Sequence, residues 1–501
     1  MKSRREALGN LALGSALLGG SGCLSPEAFR SQTNNPIVRE NQRKGTREWL
    51  LTHARIAPAT RYRSPWIEGY ASKRSVRPGE SIDFFVSTRP ESAFTMDVYR
   101  MGFYGGDGGR LMARLGEFEG IAQALPPVGL NRVRDCQWTS CKSLTIPEDW
   151  LSGVYLVKLS SLKGGEQSYI IFLVRDDRKA DYLFQCSDNT WQAYNRWPDQ
   201  YSLYDDGRRE WYWGGGVEVS FNRPYSKYCQ ILDAPLSLGS GEWFLWEYPM
   251  AYWLEAQGRD ITYISNLDTH TDPQGLRRAR GFLSVGHDEY YSLSMYRHLE
   301  AAIQEGLNVA FFSGNSVCGR IEFSPDQTGK SDRNFERVGV FGPPGGTREF
   351  EAMSSLIHER PYANELIGAH STGPVTGGAD WICRLPDHWI FEGTGMTPGE
   401  AIPGLVGWEW HGDPASIAGL EIVASGPTQS SPGSPNGGFF TATTYPGPRG
   451  NFVFNASTCW WADGLAEPPG YLRPSVYTSP LGPDRRVQQI TSNVLDRMLQ
   501  N

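Results

Sequence analysis

The sequence predicts an α/β protein in which an immunoglobulin-like β-sandwich precedes a doubly wound α/β domain. Two observations carry this prediction. Short strand-like runs broken by Gly- and Pro-containing turns fill the stretch from Trp66 to Val174. From the charged Asp176-Asp177-Arg178-Lys179 segment onward, strand and helix patterns alternate. The predicted division is a signal segment over 1–23, a linker over 24–64, the sandwich over 65–175 and the α/β domain over 176–501.

Taken in order, Lys2, Arg4 and Arg5 form a basic start, and Leu8 to Gly20 follows as a small, apolar stretch interrupted by Gly9, Gly14, Gly19 and Gly20. It is too short to span a bilayer as a mature helix. This pattern predicts a twin-arginine signal peptide and export of a folded chain to the periplasm or cell surface. Gly20-Ser21-Gly22-Cys23 reads as a candidate lipoprotein site, with Gly20 standing where a Leu is usual, so any membrane attachment would run through a lipid on Cys23. Asn34 to Ser64 is polar and Arg-rich and reads as a tether or surface wrap.

In the sandwich, strands are expected over Ile82–Val86, Thr95–Tyr99, Gly153–Val157 and Tyr169–Val174, with turns at Arg77-Pro78-Gly79-Glu80 and Lys163-Gly164-Gly165-Glu166. In the α/β part, Asp260–Ser265, Gly281–Val285 and Leu307–Phe312 read as strands. Ser294–Glu305 reads as a helix that turns Tyr296, Leu299, Ala302 and Ile303 toward the sheet. Parallel pairing through a right-handed crossover follows. Ser425 to Gly438 reads as loop, Asn451–Asn455 as a buried strand and Arg486–Leu499 as a closing helix.

Charge excludes one class of partner. With 48 basic and 55 acidic residues the net charge is −7, so no basic surface argues for nucleic acid. The 17 Trp and 23 Tyr suit pockets for small organic molecules, although packing in large cores explains most of them. Among the eight cysteines, Cys136 and Cys141 are close enough to pair across a turn, and none shows zinc spacing.

Open α/β sheets bind ligands beyond the carboxyl ends of their strands. Gly286-His287-Asp288-Glu289-Tyr290-Tyr291 follows one predicted strand and Ser313-Gly314-Asn315-Ser316-Val317-Cys318 the next, so the two loops belong side by side. The first packs an imidazole, two carboxylates and two phenols together, which is unfavourable to bury unless the groups are paired or bind a metal. A surface loop whose Asp288 caps the next helix is the structural alternative. His287 and Glu289 are candidate catalytic groups, and the donors suit a hard ion such as ferric iron. Trp191, Tyr194 and Asn195, together with Arg223 as an oxyanion anchor and Asn315, are candidate substrate-binding residues. Here the alternative is a Trp-lined core holding a structural arginine. Gly407-Trp408-Glu409-Trp410-His411 adds a carboxylate and an imidazole, making His411 a third catalytic candidate.

Together, Thr190-Trp191-Gln192-Ala193-Tyr194-Asn195, Phe221-Asn222-Arg223-Pro224-Tyr225, Trp253 to Gly258, Gly286 to Tyr290, Ala310 to Asn315 and Gly407 to Trp410 resemble the C-terminal domain of the N,N-dimethylformamidase large (beta) subunit. Trp66 to Ala71 and Arg77 to Glu80 extend the likeness into the sandwich. The resemblance implies a glutamine-amidotransferase-like α/β domain and, in the amidase, a ferric site held by two tyrosines and a glutamate. Carried over, Tyr290 corresponds to the first tyrosine and Glu409 to the glutamate. Where the second tyrosine is expected, this chain has Cys318. Three outcomes stand open: Cys318 binds the metal, Tyr291 substitutes, or no metal binds.

The expected function is an exported, metal-dependent hydrolase that cleaves a C–N bond of a small amide with metal-activated water. Fe(III) is the expected cofactor, and a small subunit or a second copy of the chain the expected partner. Two further readings compete. One makes Cys318 a nucleophile with His287 as its base; the other is a surface-tethered binder of glycans or small ligands with a degenerate site.

Overall fold

The structure is a computed structural model that describes residues 34–208, 211–226, 235–343, 356–428, 438–473 and 482–500. The twin-arginine pattern and Cys23 lie outside the described residues. Sheets dominate, with few and mostly short helices, in a mixed α/β arrangement.

Between Ile67 and Val174 two sheets share one core. The smaller runs Ile67–Ala71, Ser81–Thr88, Ser140–Thr145; the larger runs Ser75–Val76, Gln167–Val174, Gly153–Ser161, Phe94–Met101, Gly109–Phe118. Strand periodicity sends alternate side chains inward. Ile82, Phe84 and Val86 therefore meet Val98, Val157 and Phe172 across the interior. The two cysteines expected to pair do not. Cys136 packs with Tyr70, Trp138 and Trp197, whereas Cys141 lies against the sandwich core with its thiol on the Phe84 carbonyl at 3.4 Å, and both remain thiols.

The predicted tether is a strap bonded at both ends. Asn35 caps a short helix, Pro36–Asn41, by accepting from the Ile37 and Val38 amides. Asn41 accepts from the Phe103 amide at 2.8 Å and donates to Glu255 at 2.8 Å. Trp49 is fully buried, stacked on Phe244 with ring centroids 5.6 Å apart.

Beyond the sandwich stands a seven-stranded sheet in the order Ile261–Ser265, Tyr182–Cys186, Gly281–Gly286, Asn308–Ser313, Phe452–Asn455, Gly438–Pro446, Glu421–Thr428. The first five are parallel and the last two antiparallel. The expected adjacency holds, because Gly281–Gly286 pairs in register with Asn308–Ser313. The intervening helix, Leu293–Gln304, buries Tyr296, Leu299, Ala302 and Ile303 as its periodicity predicts. Ser292 caps it by accepting from the Met295 amide at 3.1 Å, so the capping role considered for Asp288 belongs to Ser292.

The expected loop over Ser425–Gly438 is corrected at both ends. Ser425–Thr428 completes one edge strand and Gly438 begins its neighbour, while 429–437 lie outside the described residues. Two long strands, Ala369–Ile382 and Ala401–Pro414, pair antiparallel as a separate ribbon packed against this edge. The second carries Glu409. Among the described residues no helix is long and apolar enough to cross a membrane.

Candidate active site

Chain geometry creates the site where the two parallel central strands end. Gly286 closes the first at φ 70°, a left-handed conformation that suits glycine, and a Cβ there would fall 2.5 Å from Trp246 Cβ. The loop after the second strand approaches the ribbon even more closely. A Cβ on Gly314 would lie 2.2 Å from the Glu409 carbonyl oxygen, so only glycine permits this contact. Asn315 and Trp408, on either side of the contact, both hold positive φ, at 49° and 63°.

These approaches place His287 between two carboxylates. Its Nε2 lies 2.5 Å from Glu409 Oε2 and 3.3 Å from Glu289 Oε2, and all three side chains are buried. Asn315 Nδ2 donates to Glu409 Oε2 at 3.1 Å. Tyr194 donates to Glu289 Oε2 at 2.6 Å, and Tyr204 donates to Glu289 Oε1 at 3.0 Å. Tyr204 also shares a short hydrogen bond with the Tyr290 hydroxyl, to which Arg337 Nη2 donates at 2.8 Å. Trp246 packs edge-on to the His287 ring and is tilted against Trp408 and Trp460.

The electrostatics follow from this wiring. Burial pulls the His287 imidazole down, but Glu409 and Glu289 more than reverse that and hold it well above its ordinary value. Burial acts on Glu289 in the opposite sense, and its contacts with His287, Tyr194 and Arg337 bring it below the usual carboxylate range. Glu409 ends above that range, since burial and the Glu289 charge outweigh His287. Burial keeps the Tyr290 phenol protonated despite Arg337.

Several predicted residues lie in this centre: His287, Glu289, Glu409, Tyr290, Tyr194 and Asn315. Others do not. His411 has both ring nitrogens committed, Nε2 accepting from the Ser316 amide at 2.9 Å and Nδ1 on Asn455 Oδ1 at 2.6 Å. Burial pushes it down to about 4, so it is a neutral fastener between strands. Arg223 is buried with its donors on Gln192 Oε1 and on the Ser220, Trp197, Tyr201, Gln192 and Asn195 carbonyls. The structural alternative describes it. Asn195 holds the same joint, donating to the Pro224 carbonyl and accepting from the Ser226 amide. Trp191 donates to Glu247 at 2.7 Å, and with Tyr194 and Asn195 it lines a cavity of about 10 Å³.

Metal ligation can be tested against these donors. Cys318 packs with Val340 and beside Trp213 and Leu356. Tyr291, the substitute considered for the missing tyrosine, donates instead to Asp288 at 2.7 Å. The Tyr290 oxygen is engaged by Tyr204 and Arg337. A set that the sequence did not foresee does come together: donor atoms of His287, Glu409 and Cys459 lie within 4.8 Å of one another, all buried. One nitrogen, one oxygen and one sulfur donor fit a borderline divalent ion better than a hard ferric one.

Sequence reasoning missed Tyr204, Arg337 and Cys459. Tyr204 stands in an irregular segment and Arg337 in an ordinary strand pattern, Asn334–Val340, so neither carries a local signal.

The family described as N,N-dimethylformamidase beta subunit-like, C-terminal, matches residues 95–473. No curated protein matches the chain.

Proposed function

The chain belongs to the N,N-dimethylformamidase beta subunit-like family, and on that premise we propose that it hydrolyses the C–N bond of a small amide at the His287–Glu289–Glu409 centre. The observation that carries this reading is the buried imidazole held 2.5 Å from one carboxylate and 3.3 Å from another. Such a trio moves protons over short distances. Glu409 takes a proton from the attacking water, and His287 passes one to the departing amine. Tyr194 and Tyr204 keep Glu289 ionised, so that His287 stays charged until it donates. Asn315 fixes the Glu409 carboxylate. His287, Glu409 and Cys459 would hold a metal ion, which when bound polarises the carbonyl and acidifies water. With an ion bound, His287 and Glu409 would be its ligands, and Glu289, held by Tyr194 and Tyr204, would be the group left to carry the proton from water to the departing amine.

The competing reading, a ligand binder with a degenerate site, draws support from Arg337, which already supplies a cation at the Tyr290 oxygen. Metal analysis and activity separate the two. Chelator-treated protein should lose amine release from a panel of small amides and regain it with one divalent ion per chain. Full release without any metal would remove the ion from the proposal, and no release under either condition would favour the binder.

Finer features belong to the same proposal. They are the immunoglobulin-like and glutamine-amidotransferase-like character of the two parts, their division near residue 175, and export directed by Arg4-Arg5 with a lipid on Cys23. The "beta subunit" in the family description supports a partner chain, which co-purification from the native source would reveal.

A further inference from the structure

A second buried site lies away from the candidate active centre. A cavity of about 30 Å³ separates the N-terminal sheets from the α/β part, lined among others by Arg74, Arg223, Arg333, Asp188, Tyr70 and Tyr225. Three guanidiniums thus face one carboxylate. Arg223 has its donors filled by carbonyls and Gln192. Arg333 places Nε and Nη2 on Asn222 Oδ1 at 2.9 and 2.7 Å. Arg74 is different.

Its side chain is 5 % exposed and lies over the Phe221 ring, 3.8 Å from the centroid. Nη1 is used, donating to Asn189 Oδ1 at 2.9 Å with Asp188 Oδ2 at 3.2 Å. Nε and Nη2 are buried and have no hydrogen-bond partner among the described residues. Those two atoms form the side edge of the guanidinium, whose parallel N–H bonds match the two oxygens of a carboxylate. Buried donors of this kind are ordinarily satisfied. The small volume limits any occupant to a few heavy atoms, which excludes a large ligand.

We infer that Arg74 and the cavity it lines form a binding site for a small planar monocarboxylate, of formate or acetate size, at the junction of the sandwich and the α/β part. The site is independent of the amidase reading. Asp188 tempers it, since its charge draws on the same guanidinium and repels an incoming anion.

Thermal unfolding and titration calorimetry of the full chain test this, with sodium formate and sodium acetate against sodium chloride and sulfate at matched ionic strength. Formate or acetate should raise Tm saturably, above the chloride baseline. Arg74→Lys keeps the charge but removes the fork, and should weaken binding at least tenfold. Asp188→Asn leaves Arg74 intact and should tighten binding several-fold, a readout that survives if the Arg74 variant does not fold. A carboxylate effect no larger than that of chloride, a stronger effect from tetrahedral sulfate, or weaker binding in Asp188→Asn would each overturn the inference.

Discussion

His287 Nε2 and Glu409 Oε2 meet at 2.5 Å, joining the loop after a central strand to a strand of the separate ribbon. Beside this pair, the missing side chain of Gly314 lets the second loop lie on the Glu409 backbone. The pair is therefore a product of long-range packing.

Replacing Glu409 with Gln preserves shape but removes the carboxylate beside His287, the proton acceptor without an ion and a ligand with one. Loss of general base catalysis typically lowers rate by about 10²–10⁴-fold. The effect should fall on kcat far more than on KM, as steady-state kinetics on the best amide of the panel would show. An equal loss in KM alone would mean that Glu409 only binds.

Arg337→Met should destabilise the fold by about 3–5 kcal/mol, because one member of a buried, hydrogen-bonded charge network is removed while Glu289 stays. Urea denaturation measures this. Tyr290→Phe, which deletes a neutral hydroxyl, should lose clearly less, about 1–2 kcal/mol.

Cysteine replacements discriminate between the two metal sets. Cys459→Ser should lower bound metal well below one ion per chain, whereas Cys318→Ser should leave the content unchanged. Elemental analysis of proteins purified in parallel reads both. The reverse result would restore the Tyr290, Glu409 and Cys318 set.

Asp188 predicts a pH dependence of stability of unusual sign for a carboxyl group. Burial raises it to about 6, with Arg74 pulling the other way. Between the unfolded value near 3.8 and the folded value near 6, the native state holds a proton that the unfolded state has released. Its contribution is thus complete below pH 3.8 and is lost as pH rises through 6, by at most about 3 kcal/mol. The stability difference between wild type and Asp188→Asn should carry this slope in that window and be flat above pH 7.

Much of the fold was legible because local pattern and tertiary structure agree. The Leu293–Gln304 helix shows its inward face at 3.6-residue spacing, and the strands flanking it are short apolar runs ending in glycine or serine. That was enough to place the two loops together and to single out His287, Glu289 and Asn315. The ribbon was not legible, since the bulges in its register break the alternation that marks a strand. For the same reason Glu409 was found by motif and not by position. Tyr204, Arg337 and Cys459 join the centre only through folding across distant segments, which no spacing encodes. His411 and Arg223 misled in the other direction: reactive types with every nitrogen engaged in structural hydrogen bonds to backbone or to amide side chains.

Amide hydrolysis at the His287–Glu289–Glu409 centre rests on the imidazole that joins the two carboxylates. Amine released from small amides by folded, metal-supplied wild type, compared with His287→Gln at equal concentration, tests it most directly. Wild type should release amine and carboxylate in equal amounts, and the variant should be at least a hundredfold slower. Equal rates in the two proteins, or no amine from wild type above background, would contradict it.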